Sequence, residues 1–198
     1  MRLACLILGS LFFASASPAQ PVFRAFASSV EQVEGGKIPT MVVLFGAERV
    51  TVRVPQGYGA QVQPEKMSVV FTAKDGATAI TLKATTDSPG VMPEDDVLRS
   101  RALAANPGGA FLEMSTCPTG YNPAKYVDSV RTLAPNLSLK VRHAFVACPE
   151  GAVEVVLAAN APAFDNARVV FNALMSSLRV EQVKKDEPPP PALPGPIR

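Results

Sequence analysis

The stretch 137-LSLKVRHAFVACPEGAVEVVLAANAPAFDNARVVFNALMSSLRV-180 decides the fold. Its first segment alternates, with Leu137, Leu139, Val141, His143, Phe145 and Ala147 on one face of a period-two strand. A Pro149-Glu150-Gly151 turn returns the chain into AVEVVLAA, residues 152–159. A nearly continuous apolar run of that length suits a central strand covered on both faces. Pro162 then opens a helix in which Phe164, Ala167, Phe171, Leu174 and Leu178 recur at steps of three and four. That spacing draws an apolar stripe down one side of the helix. A strand pair followed by a covering helix predicts an α+β fold, an antiparallel sheet with helices packed on its faces.

Upstream segments fit the same plan. MVVLFG followed by AERVTVRVP carries the alternating set Val50, Val52 and Val54, with a bend at Gly46–Ala47. MSVVFTA (67–73) and TAITLKATT (78–86) flank Lys74-Asp75-Gly76, an Asp-Gly turn between β-rich runs that signals a hairpin. Pro93 and the carboxylates Glu94, Asp95 and Asp96 predict a helix running to Ala105, because a helix N-terminus favours negative charge. Asn106-Pro107-Gly108-Gly109 stops it, and a strand from Ala110 to Cys117 follows. Asn122-Pro123 resembles a helix cap with a first-turn proline, so a short helix burying Tyr126, Val130 and Leu133 is expected up to Ala134.

The two ends differ in composition from the middle. Arg2, the apolar run Leu3–Phe13 and the small residues Ala14–Ala19 have the form of a secretory signal peptide. The run is shorter than the roughly 20 residues that span a bilayer, so no stable transmembrane anchor is expected after cleavage. The chain divides into a signal peptide (1–20), an N-terminal arm (21–40), a single α+β domain (41–181) and a disordered Pro-rich tail (182–198). The arm reads as irregular, with Phe23, Phe26 and Val30 at helix-compatible spacing before Gly35–Gly36 and Pro39. The tail contains KKDEPPPPALPGPIR, where proline removes amide donors and favours extended polyproline II. The expected location is periplasmic or secreted.

Charge excludes one class of partner. Nineteen Lys and Arg balance seventeen Asp and Glu, a formal charge of +2, with no concentrated basic face for nucleic acid. Cys5 leaves with the signal, which keeps Cys117 and Cys148. An even count in an exported chain points to a structural disulfide between them, with two free buried thiols as the alternative. A bridge closing that loop is worth about 3–4 kcal/mol in the chain-entropy model. No CxxC supports redox chemistry.

The order of elements also carries a resemblance. An early strand ends in Pro55-Gln56-Gly57-Tyr58, a hairpin follows, helical connections come next, and a last helix closes in Ser177-Leu178-Arg179-Val180. Over about residues 41–180 this resembles the PsbP-like α/β/α sandwich, shared by extrinsic PsbP proteins of photosystem II, Ran-binding Mog proteins and several exported bacterial proteins. Tyr58 stands where that family often has tryptophan, and the chain has no Trp. The resemblance implies a non-enzymatic binding or assembly factor. It carries over no functional residue, and neither photosystem nor Ran as partner.

Candidate sites are few. His143 is the only histidine, and a small exported hydrolase using it with a loop serine is the alternative function. No GxSxG elbow is present, and His143 shares its strand face with Val141 and Phe145, which favours a packed histidine. One histidine cannot build a multi-imidazole zinc site, and Glu94–Asp96 lack calcium-loop spacing, so no metal is expected. Gly57/Gly59 and Gly108–Gly109 form neither a dinucleotide fingerprint nor a phosphate loop, so no cofactor is expected. Tyr58, Tyr121 and Tyr126 lie in or beside loops and form a candidate recognition surface, since tyrosine joins apolar area to a polar tip. The expected function is an exported, non-enzymatic binding or envelope-accessory protein whose protein or envelope partner is unknown.

Overall fold

The described residues form two antiparallel sheets with two α-helices packed on them. The computed structural model describes residues 23–31, 36–86 and 89–183; the expected signal peptide and nearly all of the Pro-rich tail lie outside the described residues. Three strands open the chain: β1 (Arg24–Glu31), β2 (Lys37–Phe45) and β3 (Glu48–Arg53). Then come β4 (Tyr58–Gln63), β5 (Ser68–Ala73), β6 (Thr78–Thr85) and the helix α1 (Asp95–Ala105). The second half runs β7 (Ala110–Cys117), β8 (Ala124–Ala134), β9 (Leu137–Cys148), β10 (Gly151–Asn160), α2 (Phe164–Ser177) and β11 (Arg179–Gln182). The smaller sheet has the order β1-β2-β3-β11, the larger β4-β5-β6-β10-β9-β8-β7.

The stretch that anchors the reading takes the expected form. β9 and β10 pair from Leu139↔Asn160 to Cys148↔Gly151, and β10 pairs with β6 on its other side. β10 is thus the middle strand of seven, which is why its sequence loses the half-polar alternation of an exposed strand. Val153, Val155, Leu157 and Ala159 face one way into the main core with Ala144 and Val146 of β9. The stripe of α2 (Phe164, Ala167, Phe171, Leu174) enters the same core, against β10, β6 and β3. Met41, Val43, Phe45, Val50 and Val52 close it from the smaller sheet. On the opposite face of the large sheet, α1 seats Leu98 and Ala102 against Val127 and Phe145.

The Asp-Gly hairpin also forms. Gly76 adopts φ +69°, and Asp75 Oδ1 accepts from the Ala77 amide at 3.0 Å, the local bond that makes Asp a turn former. A different constraint acts at Gly151, where φ is +156° and a Cβ would run into the Thr85 carbonyl oxygen of the neighbouring strand. Glycine there lets β10 approach β6 one residue before their first pair, Ala152↔Thr85.

Three expectations are corrected. Residues 124–134 form a strand, not a helix: β8 lies between β7 and β9, pairing Cys117↔Ala124 on one side and Lys125↔Phe145 on the other. Its Val127, Val130 and Thr132 are β-branched and suit a pleated surface, whereas Leu133, expected in a helical core, is 47% exposed. The disulfide is overturned with it. Cys117 and Cys148 are both free and buried. They sit on strands separated by β8, and two inter-strand spacings put their backbones about 9.5 Å apart or more. A disulfide requires Cα atoms within about 7 Å. With residues 124–134 helical the two strands could have been neighbours; with β8 between them they cannot be bridged. The third correction concerns the arm, which is not irregular: Arg24–Glu31 pairs in full with Lys37–Leu44. After α2, Arg179–Gln182 leaves the helix and pairs with β3 as an edge strand.

Candidate functional site

β7 ends the large sheet, so one side of its backbone has no strand partner among the described residues. All of it is exposed or half-buried except Cys117, and Phe111 and Leu112 are 38% and 49% exposed. In an antiparallel edge strand every second residue points its N–H and C=O outward. Near its C-terminal end, β7 runs beside α2. The space between them is a groove of about 420 Å³. Thr116, Cys117 and Pro118 form its strand wall, and Arg168, Val169, Asn172 and Ser176 its helix wall. These four helix residues run along one flank of the apolar stripe of α2, and Val169 is 68% exposed.

The floor is a rigid polar network. Tyr126, Asp128 and Arg142 project from the same face of β8 and β9, where Asp128 and Arg142 are direct cross-strand partners. Arg142 is 3% exposed and Asp128 5%. The guanidinium donates Nε–H to Asp128 Oδ1 at 2.8 Å and Nη2–H to Oδ2 at 2.7 Å, a bidentate fork. A further Nη2 bond reaches Glu113 Oε1 at 3.5 Å, and the ring of Tyr126 lies 3.8 Å from the guanidinium carbon. Tyr126 donates its hydroxyl to the same Glu113 oxygen at 3.3 Å. Burial opposes the Arg142 charge, but Asp128, with Tyr126 and Glu113 adding to it, holds the pKa above the ordinary arginine value. Nη1 makes no hydrogen bond among the described residues. The floor therefore offers an oriented donor and an aromatic face that need no reorganisation on binding.

The three tyrosines do not share a surface. Tyr126 and Tyr121 lie at the β7–β8 end, with Tyr121 exposed in the connecting loop. Tyr58 begins β4 at the far edge, five strands from β8, or roughly 24 Å. It packs on the main core, and burial raises its phenol pKa.

His143 lies on the α1 side of the sheet, 3% exposed and stacked on Phe145 at 4.3 Å. Nε2 meets Glu154 Oε2 at 3.1 Å, while Nδ1 is buried without a hydrogen-bond partner. Burial would raise the Glu154 pKa, but the bond to His143 and the charges of His143, Lys83 and Arg101 bring it below the ordinary value. Among the described residues no hydroxyl is hydrogen-bonded to this pair. The acidic first turn of α1 is occupied locally: Asp95 meets Lys125 at 2.7 Å and Asp96 meets Arg99 at 3.8 Å. Among the described residues no three His, Cys, Asp or Glu side chains converge as a metal-ligand set, and no helix is long and apolar enough to cross a membrane.

Cys117 sits in the wall of the groove, its thiol pKa raised by burial, and Cys148 is pushed up to about 12, by burial first and the Glu48 charge second. Arg142 and the outer face of α2 were not singled out from the sequence. The available signal was a charged residue inside an otherwise apolar strand, VRHAFV, which requires a buried partner. No protein-family model matches the chain, and no curated protein sequence matches it.

Proposed function

We propose that the protein is an exported, non-enzymatic binding protein that captures an extended segment of a protein or envelope partner by strand addition at β7. The observation that carries this is an unpaired edge strand lying beside a helix, with a groove between them and a pre-bonded Tyr126–Arg142 floor beneath. An added strand gains main-chain hydrogen bonds along β7, and its alternate side chains fall toward the groove at about 7 Å intervals. The bulge in β7 between Phe111 and Glu113 interrupts the regular edge on its first half and directs pairing to the half beside α2. The resemblance to PsbP-like sandwiches, whose members bind or assemble with other proteins, points the same way. Hydrolysis has less support, because the hydrogen bond of His143 goes to a carboxylate and not to a hydroxyl.

The test is selection of random displayed peptides on the purified protein, followed by hydrogen exchange of the complex. Selected peptides should slow exchange of the β7 amides and lose binding when Val169→Arg fills the groove. Val91→Arg, a change at an exposed loop residue, should leave binding intact. Peptides that bind equally to the Val169→Arg protein, or leave β7 exchange unchanged, would refute the assignment.

A further inference from the structure

A second concave surface lies on the smaller sheet, on the face turned away from the core. Alternation places Phe26, Val30, Ile38 and Val42 there, beside Thr40 and Thr51. Two depressions meet on this face, one of about 270 Å³ where Arg53 and Arg179 approach the last turns of α2, the other of about 450 Å³ along Phe26, Val30 and Val42. They share Val30, Thr40, Thr51 and Arg179; Arg53 adds a second cation at the end beside α2, while the other end sets Phe26 and Val42 beside the Arg49–Glu181 cross-strand pair.

The cationic end has unused donors. Thr40 is 3% exposed, and its Oγ1 has no hydrogen-bond partner. A buried hydroxyl without a partner costs free energy that a bound acceptor would recover. The Arg53 guanidinium makes no hydrogen bond or ion pair among the described residues. Arg179 spends Nη1 on the Ser176 and Leu178 carbonyl oxygens at 3.0 and 3.1 Å, which fixes the fork in place while Nε and Nη2 make no such bond among the described residues. The one carboxylate on the lining, Glu181, is directly opposite Arg49 in the strand register, away from this end.

We propose that this face binds one molecule of a single-chain anionic amphiphile, a long-chain carboxylate. Its head lies between Arg53 and Arg179 and accepts a hydrogen bond from Thr40 Oγ1, and its acyl chain covers Val30, Val42 and Phe26. A hydrophilic anion would leave the apolar half bare, and a neutral lipid would leave both guanidinium groups unused. One acyl chain with a single head group can enter these depressions, whereas a flat membrane surface would lie across them, so the occupant is a single molecule. The site is separate from the strand-addition groove, although Ser176 borders both.

Titration calorimetry of the purified protein with dodecanoate below its micellar concentration tests this, with dodecan-1-ol as the uncharged probe and phosphatidylglycerol vesicles as the membrane probe. Dodecanoate should saturate at one molecule per chain and bind at least about tenfold more tightly than dodecan-1-ol, the usual scale of a charge-assisted hydrogen bond. Arg53→Gln should remove most of that preference, and because the exposed Arg53 guanidinium makes no hydrogen bond or ion pair among the described residues, the thermal midpoint of the free protein should stay within about 2 °C. Thr40→Val should weaken dodecanoate binding while leaving the thermal midpoint of the free protein unchanged or higher, an outcome that a purely structural Thr40 would not give. Val169→Arg should not alter dodecanoate binding, which separates this site from the β7 groove. Equal affinity for dodecan-1-ol, binding to vesicles alone, or no saturable binding would overturn the proposal.

Discussion

The Asp128–Arg142 pair permits a prediction with a worked magnitude. Both residues are buried, and two bonds of 2.8 and 2.7 Å join them. Arg142→Met strips the buried Asp128 carboxylate of both bonds, and breaking a buried pair from one side costs about 3–5 kcal/mol. Asp128→Asn is milder, about 1–3 kcal/mol, because the Arg142 charge keeps Glu113 at 3.5 Å and the Tyr126 ring at 3.8 Å. In a chain of this size each kcal/mol moves the thermal midpoint by about 2–4 °C, so Arg142→Met should lower it by roughly 6–20 °C. The double variant Asp128→Leu/Arg142→Met removes both charges at once and should return to within about 1 kcal/mol of the parent. Circular dichroism melts and urea titrations of the four proteins measure these differences. A double variant as unstable as Arg142→Met would refute the reasoning, because the loss would then come from packing and not from an uncompensated charge.

Two buried carboxyls should give opposite pH slopes. Glu48 is fully buried with Oε2 unpartnered, and burial, then the neighbouring Glu150 charge, raises its pKa despite the Glu150 amide bond. A raised acid favours the folded state when protonated, and that contribution is lost as pH rises through its folded pKa. Glu48→Gln should therefore gain on the order of 1 kcal/mol at neutral pH and nothing near about pH 3.5; a gain that persists in acid would sink the assignment. Glu154 has the opposite sign, since its lowered pKa stabilises above the ordinary glutamate range and fades as pH falls through the folded value. The cost of Glu154→Gln should accordingly shrink on acidification in the same urea titrations. With Cys148 pushed up to about 12 and both thiols buried, neither cysteine should react with iodoacetamide at mildly alkaline pH until the chain unfolds. Both should then alkylate without reductant; a midpoint that drops on adding reductant would contradict free thiols. Gly151→Ala forces a Cβ toward the Thr85 carbonyl at φ +156° and should cost about 2–4 kcal/mol. Gly59→Ala, with open space around it, should change stability by less than about 1 kcal/mol in the same melts.

Local pattern explains most elements that were legible in advance. The Asp75-Gly76 turn, the period-two runs of β3, β6 and β9, and the stripe of α2 each depend on neighbours within a few residues. β8 failed because its start carries a good helix signal, Asn122-Pro123, while its strand character depends on β7 and β9 closing on both sides. β1 failed similarly: Phe23, Phe26 and Val30 fit a helical period, but pairing with β2 overrides it. The false disulfide followed from β8, since removing a strand from the expected sheet brings Cys117 and Cys148 together. The candidate groove was hidden for the same reason, because the edge status of β7 is a property of strand order.

The sequence by itself determined the α+β class, the central β9–β10 pair, the helix that covers it and the packed setting of His143, because hydrophobic period and turn chemistry are written within one element. Only the tertiary structure decided that the sheet has seven strands ending at β7, that the cysteines stay apart, and that Arg142 lies under a groove beside α2. Those facts arise from pairing between residues far apart in the chain, where burial and hydrogen-bond satisfaction are settled by which strands become neighbours.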